Sequence, residues 1–521
     1  MNRADMLARL RGHSEPWDIV VIGGGATGLG TAVDGASRGY DVALLEQSDF
    51  AKGTSSRSTK LVHGGVRYLQ QGNVTLVMEA LRERGLLLQN APHLVHDVPF
   101  IVPSYEWWES PFYGVGMKIY DLLAGRYGFG KSSILSRAAV VEAIPSINAE
   151  GLLGGTRYFD GQFDDARLAI NLATTAWEQG ATVINYARAV GFVKDGAGAI
   201  TGVVARDVES GEELTVRARV VVNAAGPFAD GVRALDRPGR AGMIAPSRGA
   251  HIVLDRRFLP GDSAIMVPHT DDGRVMFAIP WHGVAVIGTT DTPVDRVELE
   301  PRPSAEEIGF ILGTANRYLS RPATGGDIRS VFAGIRPLVR AGERESTATL
   351  SRDHTLHIDP ESGLVTIAGG KWTTYRRMGE DVIDQAITLG DLAARECVTK
   401  RLSIHGHHRN PERFGRLAVY GSDAPEIEGL AAEDGMGEPI HPRLALSGAE
   451  VRWACRREMA RTVDDVLARR SRSLLLDAAA SIEAAPRVAE LMAEELGWDE
   501  ARARAEVVEF RRVASGYVYT G

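Results

Sequence analysis

Between Trp17 and Glu46 the chain runs through an apolar stretch, a glycine-rich turn, a run of small residues, a second apolar stretch and an acid. Few folds accommodate that order. Asp18-Ile19-Val20-Val21-Ile22 reads as a strand that feeds Gly23-Gly24-Gly25-Ala26-Thr27-Gly28. Gly23 permits a tight turn, Gly25 lets backbone approach a pyrophosphate, and Gly28 lets the following helix pack on the strand. The unpaired N–H groups at that helix's start are a ready anion site. Residues 40–45 give the second strand, and Glu46 stands where a carboxylate can hold a ribose 2′-hydroxyl and disfavour a 2′-phosphate. The combination predicts an adenosine-diphosphate site.

A chain of 521 residues exceeds one ordinary hydrophobic core, so two or three domains are expected. The net charge of -8 argues against a nucleic-acid binder that relies on overall positive charge. Cys397 and Cys455 make neither a disulfide framework nor a metal-binding pair, so no metal is expected and a reduced, cytoplasmic compartment is the simplest reading. Arg3, Asp5, Arg9 and Arg11 precede any apolar run, unlike a secretory signal, and no stretch reaches the length of a bilayer span. Any membrane association is therefore expected to be peripheral.

Helices are expected over 73–89, 168–179 and 372–386, and strands near 182–184, 191–193, 214–223 and 364–367. Short β-rich segments from 251 to 289 suggest an antiparallel sheet that roofs a cofactor site. Helical periodicity dominates beyond about residue 400, notably over 449–470, 482–496 and 501–512. The returning strand that ends in Val222-Asn223-Ala224-Ala225-Gly226 and the pair Gly369-Gly370 lie far downstream of the glycine turn. That distribution favours remote segments jointly enclosing a bound flavin over one contiguous nicotinamide domain.

Five further stretches occur in order: 54–69 (TSSRSTKLVHGGVRYL), 287–291 (IGTTD), 333–338 (AGIRPL), 351–356 (SRDHTL) and 369–376 (GGKWTTYR). With them the chain closely resembles, over nearly its full length, the respiratory FAD-dependent glycerol-3-phosphate dehydrogenases. The resemblance implies an α/β fold: a Rossmann-like FAD-binding domain, an antiparallel β-rich substrate domain and a C-terminal helical domain. The first two are expected interleaved over 1–390, with the nucleotide core near 17–70 and 215–230, a return segment at 364–386 and the substrate region chiefly at 248–360; the helical cap is expected over 400–521.

The same resemblance implies oxidation of sn-glycerol 3-phosphate to dihydroxyacetone phosphate, with hydride passing from C2 to a non-covalent FAD and electrons then reaching a membrane quinone. It implies His251 as the base, Arg336 beside the developing alkoxide, and Lys371 at the flavin edge or substrate. Arg67, Tyr68 and Arg352 are implied substrate ligands, Arg352 offering its planar fork to phosphate. Thr54, Ser55, Ser56, Ser58 and Lys60 are expected on pyrophosphate or isoalloxazine, His63, Gly64 and Gly65 beneath the flavin ring, and Ala225 and Gly226 at close backbone approach.

Aromatics from Trp107 to Tyr120, and a helix over 449–470 flanked by Arg452, Arg456, Arg457 and Arg461, either rest on an anionic lipid surface or are core and solvated rim. The expected place is the cytoplasmic face of the inner or plasma membrane, as a homo-oligomer. Two enzyme alternatives stay open: an oxidase that passes electrons to oxygen, and an amine or amino-acid oxidase of the wider flavoprotein group. The cations at substrate positions, with no acid assigned to an ammonium group, favour phosphate. A relic nucleotide fold with no activity is disfavoured by intact Gly23, Gly25, Gly28 and Glu46.

Overall fold

The computed structural model describes residues 1–65, 73–271, 273–340, 354–433 and 435–521. Its first sheet orders the strands His354–Ile358, Val365–Gly369, Glu213–Asn223, Trp17–Ile22, Val42–Leu45 and Thr182–Ile184. All neighbours except the first pair run parallel. Parallel strands are covered on both faces and read as continuous apolar runs. Ile19, Val20, Val21, Val42, Ala43 and Leu44 are accordingly all fully buried. Helices Ala26–Ser37 and Tyr375–Leu389 cover this sheet and cross closely, because a Cβ on Gly379 would stand 2.6 Å from Gly30 O. The glycine turn thus sits at the carboxyl ends of the parallel strands, beside the returning strand, the usual ligand position in open α/β sheets.

The second sheet holds the predicted β-rich segments, as Ile244–Asp255, Ala264–Val267, Met276–Trp281 and Val284–Gly288, with Ile328–Val339 paired along Ile244–Asp255. It also holds two long strands with no counterpart in the sequence-based expectation, Val95–Ser104 and Gly154–Phe163. Pro99 and Pro103 interrupt the first of these and argue against an interior strand. The strand tolerates them because its parallel neighbour Ala264–Val267 pairs with it only at Phe100 and Ile101.

The C-terminal region is helical, but the continuous helix expected over 449–470 is broken. Gly448–Arg457 ends before Met459, whose φ is +54°, and a wide turn of π type follows over Asp465–Arg470. The Asp465 carboxylate accepts the N–H groups of Arg461 and Thr462 at 2.8 and 3.0 Å and starts the second segment afresh. Helices Ala478–Leu496 and Glu500–Ala514 are capped by Asp477 and Asp499. Val451, Trp453, Val463 and Leu467 share one apolar core with Phe100, Tyr158, Trp281 and Phe332 of the second sheet. The expected lipid face of residues 449–470 is therefore core. Its arginines are paired with carboxylates: Arg452 with Glu433 and Glu494, Arg456 with Glu495, Arg457 with Glu426 and Arg461 with Glu209.

Candidate active site

A cavity of about 430 Å³ runs from the glycine turn to the second sheet. At one end, Gly23 adopts φ +115°, and a Cβ there would stand 2.6 Å from Ala224 O. A Cβ on Gly28 would come within 1.9 Å of Gly23 O, so Gly28 serves the packing of helix on strand and lies behind the cavity wall. Gly25 precedes Ala26–Ser37 and lines the cavity; a notional Cβ there would meet Ser55 Oγ at 3.1 Å and otherwise face open space. Glu46 also lines it; its carboxylate accepts Gly24 N–H at 2.6 Å and Ser48 N–H at 2.8 Å, while burial pushes its pKa up.

The following loop supplies another wall. Ser55 Oγ accepts Ala26 N–H at 2.9 Å, and Thr54 Oγ1 donates to Ile335 O. Ser58 borders the cavity, yet its hydroxyl donates to Asp165 Oδ2 at 2.7 Å. Ser56, Lys60 and Gly64 do not face the cavity, and there the expectation of direct cofactor contact needs correction. Lys60 is fully buried, its ammonium 2.7–2.8 Å from both Asp165 oxygens and 2.7 Å from Ser56 O. Such a charge is tolerated in the interior only when paired. Gly64 donates its N–H to Tyr120 OH at 2.8 Å and packs against Leu81. His63, Gly65, Ala225 and Gly226 line the cavity, the backbone N–H of His63 donating to Thr373 Oγ1 at 3.2 Å.

At the other end His251, Arg336 and Lys371 line the same cavity. His251 comes from Ile244–Asp255 and Arg336 from its antiparallel partner Ile328–Val339. The imidazole stacks on Phe332 with centroids 4.7 Å apart, and its Nε2 lies 2.9 Å from Thr59 Oγ1. Burial, together with the nearby charges of Arg336 and Lys60, holds its pKa well below the ordinary histidine value, so the ring is neutral near pH 7. Arg336 donates to Thr289 Oγ1 and Thr290 O at 3.1 and 2.9 Å and lies 3.4 Å from Asp291 Oδ1. Lys371 enters through the extended residue just before the turn Trp372–Thr374. Arg67, Tyr68 and Arg352 lie outside the described residues.

Three lining residues escaped sequence reasoning. Thr59 stands against His251, while Asp291 is approached by both Arg336 and Arg274, the latter at 3.2 Å. The tripeptide Thr289-Thr290-Asp291 was visible as a motif, but nothing local showed that its acid gathers two distant arginines. Among the described residues there is no cluster suited to a metal ion.

The pyrophosphate cradle, the acid beyond the second strand and a long cavity bounded by both sheets fit FAD. A family model described as FAD dependent oxidoreductase matches residues 18–376, and one described as the C-terminal domain of alpha-glycerophosphate oxidase matches 397–503. The chain is 42% identical over 534 residues to the mitochondrial glycerol-3-phosphate dehydrogenase of Macaca fascicularis, covering 96% of this chain and 73% of the relative. Its identity to the human enzyme of the same name is 41%, covering 98% of this chain and 75% of that one. The glycerol-3-phosphate dehydrogenase from Bacillus halodurans, solved in complex with FAD, superposes with a TM-score of 0.80 at 30% identity over 99% of this chain and 97% of that chain. Glycine oxidase from Geobacillus kaustophilus shares the fold alone, with a TM-score of 0.53 at 19% identity over 75% of this chain and 99% of that chain. With both family models matched and close relatives aligned over nearly its whole length, the chain belongs to the FAD-dependent glycerol-3-phosphate dehydrogenases.

Proposed function

We propose that this chain oxidises the C2 hydroxyl of sn-glycerol 3-phosphate to the ketone of dihydroxyacetone phosphate, using a non-covalent FAD and delivering electrons to a membrane quinone. The observation that carries the reading is the convergence of His251, Arg336 and Lys371 on a cavity that also contains the dinucleotide turn. FAD, when bound, supplies the sink for the hydride that leaves C2. The chain's own residues do the rest. Neutral His251 takes the hydroxyl proton on its imidazole, with Thr59 Oγ1 hydrogen-bonded to Nε2 to hold the ring. Arg336, tethered by Thr289, Thr290 and Asp291, places fixed positive charge where alkoxide develops. Lys371 serves the flavin edge or the substrate, and Arg352, Arg67 and Tyr68 are assigned to substrate binding by the family resemblance, Arg352 to its phosphate. Thr54, Ser55 and the glycine turn hold pyrophosphate, while Lys60 acts from behind by bracing the loop through Asp165.

Peripheral membrane contact is assigned to the helix Glu109–Ala124 rather than to residues 449–470. Phe112, Val115, Ile119 and Leu122 recur at helical spacing on one exposed face, continued by Trp107 and Ile134. Leu122 and Trp107 are each 80% exposed, and Val115, Ile119, Leu122 and Ile134 border one shallow apolar surface hollow, a contiguous patch rather than scattered single residues. Lys118, Arg126, Lys131 and Arg137 are exposed around them and suit anionic headgroups on the cytoplasmic face. Among the described residues no helix is long and apolar enough to cross a membrane. Oxygen as acceptor is the second reading, favoured by the oxidase named in the match to residues 397–503.

Product analysis with a quinone analogue and with oxygen tests the proposal. Dihydroxyacetone phosphate should accumulate rapidly with the quinone and slowly, with peroxide, under oxygen alone; peroxide formation at the full rate would assign the oxidase reading. Complete unfolding should release the flavin, and flavin that stays with the chain would contradict non-covalent binding.

A further inference from the structure

The loop between Asp49 and Arg57 is held from two sides. Toward the cofactor cavity, Ala51 N–H donates to Gly24 O at 2.9 Å and Ser55 Oγ accepts Ala26 N–H at 2.9 Å, so the loop is bound to the glycine turn. Lys52, Gly53, Thr54 and Ser55 form cavity wall. From the opposite side the loop's charged side chains are met by the C-terminal region. Asp49, fully buried, accepts from Arg469 and Arg470, with Arg470 Nη2 at 2.9 Å from Oδ1. Lys52 Nζ lies 2.7 Å from Asp464. Arg57 donates to Tyr517 OH at 3.0 and 3.2 Å and to Glu300 at 2.6 Å, and Tyr517 OH in turn donates to Glu300 at 2.9 Å.

Both arginines that reach Asp49 lie in the wide turn Asp465–Arg470, a hydrogen-bonding geometry rare in helices and frequent at functional positions. Arg469 also spans Asp464 and Asp465 at 2.9 and 2.7 Å, so the charges meeting Asp49 and Lys52 form one network. A buried charge stripped of its partner either draws in water or moves away. Every such movement at residues 49, 52 or 57 displaces backbone that walls the cavity.

We propose that the C-terminal helical region is a working part of the cofactor site, its Asp464, Arg469, Arg470 and Tyr517 acting as positioning residues that hold loop 49–57 in the shape that binds FAD. The proposal rests on FAD occupying the cavity. Cofactor affinity is then coupled to docking of a region that contains none of the dinucleotide fingerprint, and the coupling is reciprocal: FAD tightens the docking of that region.

The test titrates FAD-free full-length protein with FAD, following quenching of flavin fluorescence. Tyr517→Phe and Asp464→Asn should each raise the dissociation constant about tenfold, with far-ultraviolet circular dichroism unchanged. Asp464→Glu should restore affinity. Glu450→Gln is the control, because it removes the ion pair of Glu450 with Arg416 and the charged acceptor of Tyr420 OH within the C-terminal region, and Glu450 is not part of the loop network. It should lower the melting temperature of the FAD-free protein and leave FAD affinity within about twofold. Should Asp464→Asn not fold, Tyr517→Phe alone decides. An unchanged FAD affinity in folded Tyr517→Phe overturns the proposal, and so does an equal loss in Glu450→Gln, which would mean general loosening. A wild-type chain that binds no FAD would instead overturn the functional reading beneath it.

Discussion

Thr59 Oγ1 and His251 Nε2 lie 2.9 Å apart although the two residues are 192 positions apart in the chain. The contact joins the loop after the dinucleotide turn to the core strand of the second sheet, and it fixes the imidazole over Phe332. His251→Ala should retain FAD and slow flavin reduction on the order of 10²-fold, the usual weight of general-base assistance. Thr59→Val should slow it less, because the base survives and only its orientation is loosened. Rapid-reaction measurement at saturating substrate separates this step from acceptor turnover. An unchanged rate and pH profile in His251→Ala would remove it from the chemistry. The folded pKa of His251 is depressed, so the unfolded chain binds the extra proton as pH falls below about 6.5, and this residue's contribution to stability is lost on acidification.

Phosphate recognition is expected to depend on Arg352. Arg352→Ala should weaken phosphorylated substrate far more than glycerol, by about 1.5–3 kcal/mol in kcat/KM if the charge-assisted contact persists in the transition state. Steady-state comparison of the two substrates checks this. Equal losses on both would assign Arg352 to access or folding.

Lys60 is predicted to matter through stability. Lys60→Met leaves the Asp165 carboxylate buried beside Ser58 without its cation, at a cost of about 3–5 kcal/mol by urea denaturation. Lys60→Met combined with Asp165→Leu should recover a large part of that loss. A single variant as stable as wild type would show that water or another cation reaches Asp165.

The dinucleotide turn was legible in the sequence because its pattern lies within one supersecondary unit, where Gly28 packs against Gly23 O; that Gly23 is also crowded by Ala224, from a segment far downstream, was not legible. Several individual strands and the β-rich character of residues 251–289 were legible for the same reason, because apolar periodicity is local, whereas the order of the strands in each sheet was not. Lys60 was misread because its partner, Asp165, lies 105 residues away and a lysine in a polar loop carries no sign of burial. Residues 449–470 looked like one amphipathic helix because the arginines stand out in the sequence and the matching glutamates, such as Glu433 and Glu495, do not. The break at Met459 and the gathering of Arg274 and Arg336 about Asp291 arise only from tertiary packing.

The exposed helix face predicts a separable membrane function. Trp107→Ser, Phe112→Ser and Leu122→Ser together should abolish co-sedimentation with anionic vesicles and reduce quinone turnover, while reduction of the flavin by glycerol 3-phosphate in solution stays at the wild-type rate. Retained vesicle binding would place the lipid contact elsewhere.

A second titration reports on the C-terminal region. Burial opposes charge on His405, but hydrogen bonds to Asp423 and Glu178 at 2.8 and 2.7 Å outweigh it and raise the pKa to about 9. A raised folded pKa gives stability that is fully present below the unfolded value of about 6.5 and is lost as pH rises through about 9. The stability difference between wild type and His405→Gln should therefore shrink by about 2–3 kcal/mol from about pH 6 to about pH 10. Parallel denaturation curves with a constant offset across that range would contradict the pairing.

Hydride transfer from C2 to the bound flavin is tested by anaerobic stopped-flow bleaching with glycerol 3-phosphate, comparing ordinary substrate with substrate deuterated at C2. Bleaching should be rapid and should slow on deuteration, glycerol should give no comparable bleaching, and quinone should reoxidise the flavin much faster than oxygen. Absence of bleaching, or bleaching indifferent to both the phosphate and the C2 isotope, would contradict that transfer.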